Sequence, residues 1–157
     1  MSAETIVERL RQFLFIVTGV VFAVTPVELV LAKHYDTAVK WIPFVLCGLG
    51  LIVVLVAWLR PQRQTLLMLR VVMVIIALGG LLGSYEHLTG NLGFALETHA
   101  GATISDVLVN AFQGASPLLA PGILGLAATL GIAATYAHPA LKSAPKRVRE
   151  VTMKRTT

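Results

Sequence analysis

The sequence predicts an all-α integral membrane protein: a four-helix bundle whose four transmembrane helices leave both termini on the cytoplasmic side. Three observations lead there. Of the 157 residues, 56% are hydrophobic and 13% charged, against roughly 45 to 50% apolar residues in a soluble domain. The apolar residues arrive in blocks of about 20, the length that crosses about 30 Å of hydrocarbon at a rise of about 1.5 Å per residue. Lysine and arginine collect on one side of those blocks, as cytoplasmic loops do. Amides inside hydrocarbon have no water to bond, so each block is helical or part of a closed barrel. The runs lack the alternation of barrel strands, which leaves helices.

The first span covers about 13–32 (FLFIVTGVVFAVTPVELVLA). Arg9 and Arg11 precede it as in a secretory signal. Its apolar run, however, exceeds the roughly 7 to 15 residues of a signal core and ends in Lys33-His34-Tyr35 rather than a small-residue cleavage site, so it is expected to be retained. The second span covers about 41–59 (WIPFVLCGLGLIVVLVAWL). The third covers about 66–88, interrupted by Arg70 near its start and by Tyr85, Glu86 and His87 near its end. The fourth, about 117–137, carries no charge. Pro43, Pro61, Pro117 and Pro139 punctuate span ends, where a missing amide does little harm. Pro26 and Pro121 lie deeper and predict local bends.

Orientation follows from the charges. Arg9, Arg11, Arg60, Arg63, Arg70, Lys142, Lys146, Arg147, Arg149, Lys154 and Arg155 fall on one side with three acids, and Lys33 and Lys40 on the other with five. The first side is cytoplasmic. The basic balance is therefore a topology and lipid-surface signal, and nucleic acid is not an expected partner. A bacterial-type plasma (inner) membrane is the expected location, with the basic tail 138–157 either solvated or docked on anionic lipid or an acidic partner.

An outer loop of about 89–116 joins spans three and four, longer than a turn requires. Within it, Ile104, Val107, Leu108, Ala111 and Phe112 recur at helical spacing opposite Ser105, Asp106, Asn110 and Gln113. This predicts a short amphipathic helix at about 103–113, started by Thr103 or Ser105 and stopped by Gly114, on the outer leaflet or across the bundle mouth. Before it, residues 91–99 (NLGFALETH) allow another short helix.

Spans one and three run in the same direction, which places His34 and His87 at similar depth on the outer side. Glu28, Tyr85, Glu86, Asn91, Glu97 and His99 complete an outer polar cluster. Imidazoles ligate metal or haem and carboxylates orient them, so His34 and His87 are the candidate haem or metal ligands. Their spacing matches no compact ligand motif, and the same residues also suit an interface with headgroups and water. Glu28, one turn before the end of its span, reads either as a functional intramembrane acid or as a structural partner of Lys33 or of the third span's His and Tyr groups. Gly79 and Gly83 form a GxxxG pair, and Ala127, Gly131 and Thr135 recur every fourth residue; both patterns predict tight helix seams, internal or between subunits.

Enzyme signatures are missing from the sequence. Cys47 is alone, no Gly-rich phosphate loop or GxSxG elbow occurs, and Ser, His and acids do not assemble a nucleophilic set. The expected function is that of a small accessory or scaffold subunit associating with a larger membrane complex or with copies of itself. The alternative is a redox or quinone-linked protein binding haem or metal at the outer cluster. A small oligomeric transporter is a third, less suited to four helices with a single intramembrane acid.

Overall fold

A computed structural model describes residues 2–99, 101, 103–112 and 119–142. These residues form helices α1 (Ala3–Leu31), α2 (Ile42–Leu59), α3 (Arg63–Thr98), α4 (Ile104–Phe112) and α5 (Leu119–Ala134), with short 3-10 turns at Ala38–Trp41 and Pro139–Leu141. Three stretches, Ala3–Leu31, Ala38–Leu59 and Arg63–Thr98, are long and apolar enough to cross a membrane. Gly114 and Pro117, read as helix stop and start, and the basic tail from residue 143 fall outside the described residues.

Helix ends follow local chemistry. The Ser2 hydroxyl accepts the Thr5 amide and starts α1 well before the apolar block. At its other end the His34 amide donates to the Leu29 carbonyl and the Lys33 amide to Val30, a Schellman closure in which Lys33 takes the left-handed conformation (φ 52°) more often given to glycine. Pro26 sits inside α1 without ending it. Gln62 and Thr65 exchange side-chain and backbone bonds as a capping box that starts α3 one residue after the α2–α3 turn.

α1, α2, α3 and α5 pack as a closed ring: α1 against α2, α2 against α3, α3 against α5 and α5 against α1. Adjacent helices are antiparallel. Along α3, rising positions 70, 73 and 83 meet falling positions 135, 131 and 121 of α5. Small residues set the approach distances. A Cβ at Gly50 would lie 2.8 Å from the Phe22 ring, and one at Gly131 would lie 2.9 Å from the Met73 sulfur and 3.4 Å from Thr18. Gly131 of α5 therefore packs against both of its ring neighbours, α1 and α3. Phe15, Phe22, Cys47, Val54, Leu66, Leu69, Met73 and Ile76 fill the core with Ala127 and Ala128.

Besides the early start of α1, two boundaries differ from the sequence expectation. Residues 89–98 are not loop: α3 continues through them as one helix of 36 residues. Gly90 and Gly93 do not break it, since each is one residue with open space around it, and the buried Asn91 and Ala95, one turn apart, give this extension a packed face. The described part of the last apolar helix has 16 residues, about 24 Å at the α-helical rise, shorter than the expected 117–137. It ends in a 3-10-like turn at Thr135–His138, with Ala137 left-handed (φ 49°).

Candidate functional site

The polar residues expected on the outer side divide into one contact and several dispersed groups. The contact is His34 with His87, whose ring centroids lie 6.4 Å apart at an interplanar angle of 60°. The Schellman turn at Lys33 produces it by folding the chain back from α1, so that the next residue meets α3. Both imidazoles are half-buried. Burial first, then the charge of Lys40 and the proximity of His87, holds the His34 pKa below its ordinary value, with Asp36 opposing. His34 is thus neutral at pH 7, the form in which imidazole binds metals. Beside it Lys40 pairs with Asp36 at 2.6 Å, and that hydrogen bond is the main reason the Asp36 carboxyl titrates below the usual range.

The other predicted residues lie apart from this pair. Glu28, Tyr85 and Glu86 are exposed on α1 and α3. Among the described residues the ion pairs are Arg11–Glu8 and Lys40–Asp36, so Glu28 is in neither. Glu97 and His99 lie ten and twelve residues beyond His87 on the same α3 rod, about 15 and 18 Å along the helix axis. There His99 Nδ1 lies 3.0 Å from the Ala95 carbonyl and 3.2 Å from the Thr98 hydroxyl, closing the helix end. Among the described residues no group of three or more His, Cys, Asp or Glu side chains is placed to hold a metal ion.

Asn91 has a different task. It is 6% exposed, and its Nδ2 donates to the Ala111 carbonyl at 2.9 Å, pinning α4 onto the end of α3. Val107 and Ala111 bury the matching face of α4, while Ile104, Leu108, Val109 and Phe112 stay exposed. The Asp106 carboxylate takes the Thr103 amide and hydroxyl at the start of α4, which lowers the Asp106 pKa. Removing the Asn91 amide leaves the Ala111 carbonyl short of a donor, a loss of about 1 to 3 kcal/mol. Asn91→Ala is therefore expected to speed hydrogen exchange of the α4 amides about 10- to 100-fold with little change in the main unfolding transition; equal protection in both proteins would refute the pin.

The small residues predicted as seams lie on contacts within the chain. A Cβ at Gly79 would meet the Leu46 side chain at 2.7 Å and one at Gly83 would meet Pro121 at 3.0 Å; Ala127 is fully buried. The polar contact that sequence reading missed joins Arg70 to Thr135, where Nε donates to the hydroxyl at 2.8 Å and Nη2 to the carbonyl at 3.3 Å. Arg70 had counted only as a topological charge. The available signal was a lone arginine one turn inside an apolar run, which by default wants a named partner.

Comparison with protein-family models, with curated proteins and with solved structures finds no match.

Proposed function

We propose that this chain crosses a bacterial-type plasma membrane four times, with α5 as the shortest crossing and both termini cytoplasmic, and serves as a small accessory or scaffold subunit of a larger membrane complex. Only 22 to 28% of each long apolar window is buried within the chain, so most of the hydrocarbon faces outward, an arrangement that suits lipid and is unfavourable in water. The lopsided Lys and Arg distribution supports the orientation.

The observation that carries the subunit reading is the overshoot of α3. Its 36 residues extend about 54 Å, well beyond about 30 Å of hydrocarbon. The overshoot holds up a folded cap with exposed Phe94, Ile104, Val109 and Phe112, apolar side chains that suit cover by a protein partner. Two measurements in native membranes test the proposal. A photocrosslinking residue at Phe94 or Val109 should give a defined protein adduct, and one at Leu78, exposed on the apolar stretch of α3, should give lipid adducts alone. Lipid-only products at all three positions would overturn the subunit reading. A cysteine at Gly101 should react in intact cells and one at Ser2 only after permeabilisation, the buried Cys47 giving little background; the reverse pattern would overturn the topology.

The His34–His87 contact favours a second reading, a haem- or metal-binding redox protein. Two imidazoles on opposite sides of one ion, each nitrogen about 2 Å from it, have centroids roughly 6 Å apart, close to the 6.4 Å seen. Among the described residues no third ligand joins the pair, which suits haem better than a closed zinc site. Protein purified from its native membrane should then show a Soret band that His34→Ala or His87→Ala abolishes; colourless, metal-free protein would remove this reading. No comparable observation favours transport, since the buried hydroxyls of Thr18, Thr25 and Thr135 donate to carbonyls of their own helices.

A further inference from the structure

At the end of the bundle opposite the imidazole pair, a notch of about 110 Å³ is lined by Glu8, Arg11, Gln12, Phe15, Trp58 and His138 among others. It lies between the start of α1, the end of α2 and the segment after α5. The Arg11 side chain is only 11% exposed, and its Nη1 donates to Glu8 at 2.7 Å. Its Nε, also buried, has no acceptor among the described residues. Native structures rarely leave a buried cationic N–H in that state without a further ligand.

A second donor is fixed beside it. The His138 Nδ1 accepts the Ala140 amide at 3.1 Å, so the neutral ring carries its proton on Nε2. Burial, and then the charge of Arg11, lowers the His138 pKa while Glu8 opposes, so both charged groups act on the His138 ring. Glu8, Arg11 and Gln12 also line a wider groove of about 780 Å³, to which Arg9 and Lys142 add positive charge and Val7 and Pro139 add apolar walls. Among the described residues, Arg9, Arg11 and Lys142 share its lining with the acids Glu4 and Glu8.

We propose that the Arg11–His138 notch binds a phosphate oxyanion, which accepts from the Arg11 guanidinium and from His138 Nε2. The dimensions admit such a group: water occupies roughly 30 Å³ in the liquid, so the notch of about 110 Å³ has room for a phosphate. Guanidinium is the side chain best matched to phosphate oxygens. The oxyanion has two sources, the headgroup of an anionic phospholipid or free phosphate. The lipid source rests on the membrane placement proposed above, which sets this end at the cytoplasmic headgroups; the free-phosphate source does not.

The test uses the full chain in mild detergent. Native mass spectrometry is run with phosphatidylglycerol against phosphatidylcholine, and calorimetry with inorganic phosphate against chloride. Expected is saturable retention of phosphatidylglycerol over phosphatidylcholine, weakened at least tenfold in Arg11→Gln and less than threefold in Arg9→Gln on the groove rim. Arg11→Lys keeps a charge for Glu8 but lacks the planar guanidinium that matches phosphate oxygens, so it should bind as weakly as Arg11→Gln while melting like the wild type. Arg11-dependent binding of inorganic phosphate alone would support the site and assign it to the free anion. Absence of Arg11-dependent saturable binding in both experiments would overturn the proposal. Failure of the topology labelling while phosphate binding persists would remove the cytoplasmic placement and leave the site standing.

Discussion

Gly80→Leu is expected to pull α5 away from α3 and cost most of the fold's stability. A Cβ at position 80 would lie 2.9 Å from the Pro121 carbonyl oxygen, 3.1 Å from the Gly125 amide nitrogen and 3.4 Å from the Leu124 Cβ. Two of these neighbours are helix backbone, which cannot rotate away as a side-chain tip does. Alanine already forces a shift of the helix axis, at about 1 to 3 kcal/mol for overpacking. That exceeds the gain of up to about 1 kcal/mol from replacing a mid-helix glycine, so Gly80→Ala should destabilise and leucine should do so by considerably more. Gly93→Ala supplies the contrast, since nothing lies within 4 Å of its Cβ position and the propensity gain stands alone. Thermal unfolding in mild detergent should rank Gly93→Ala at or above the wild type, Gly80→Ala below it and Gly80→Leu lowest. A Gly80→Leu protein that melts with the wild type would mean the α3–α5 seam is not as close as described.

Arg70→Ala is the second large effect. The guanidinium reaches the turn that ends α5, donating to both the hydroxyl and the carbonyl of the fully buried Thr135, whose hydroxyl in turn donates to Ile132 at 2.7 Å. The cation thereby satisfies carbonyls that a helix end leaves open and sits at the negative end of the helix dipole. Hydrogen bonds from a charged donor contribute about 1.5 to 3 kcal/mol, so a loss of about 2 to 3 kcal/mol is expected. Arg70→Lys should recover only part of it, because an ammonium has no rigid fork to span hydroxyl and carbonyl together. A double-mutant cycle with Thr135→Val isolates the contact, with a coupling of about 1 to 2 kcal/mol expected. Additive effects in that cycle would show that Arg70 acts through its charge alone.

How much of this was legible in the sequence depended on periodicity. The apolar blocks at about 13–32 and 41–59 announce themselves by length alone, whereas the charged first ten residues of α1 (3–12) give no such signal. The face of α4 was legible through Val107 and Ala111, one turn apart. The continuation of α3 through residue 98 was not, because Asn91, Glu97 and two glycines resemble a loop until the packed α4 is known. The proximity of His34 and His87 needed only the directions of two helices. The dispersal of Glu97 and His99 needed the knowledge that they share an unbroken rod with His87, which carries them away at about 1.5 Å per residue. Arg70–Thr135 and Arg11–His138 join residues far apart in the chain, and no local pattern encodes such pairings.

The uninterrupted α3 also has a mechanical consequence. A stiff lever about 54 Å long converts a tilt of about 10° at one membrane surface into a sideways excursion of about 9 Å at the far tip. With α4 clamped to that tip through Asn91, the outermost helix cannot drift independently of Arg70 near the other end. In the membrane placement proposed above, its position is set by the lean of a single shaft, and a change in bilayer thickness would swing it as one piece.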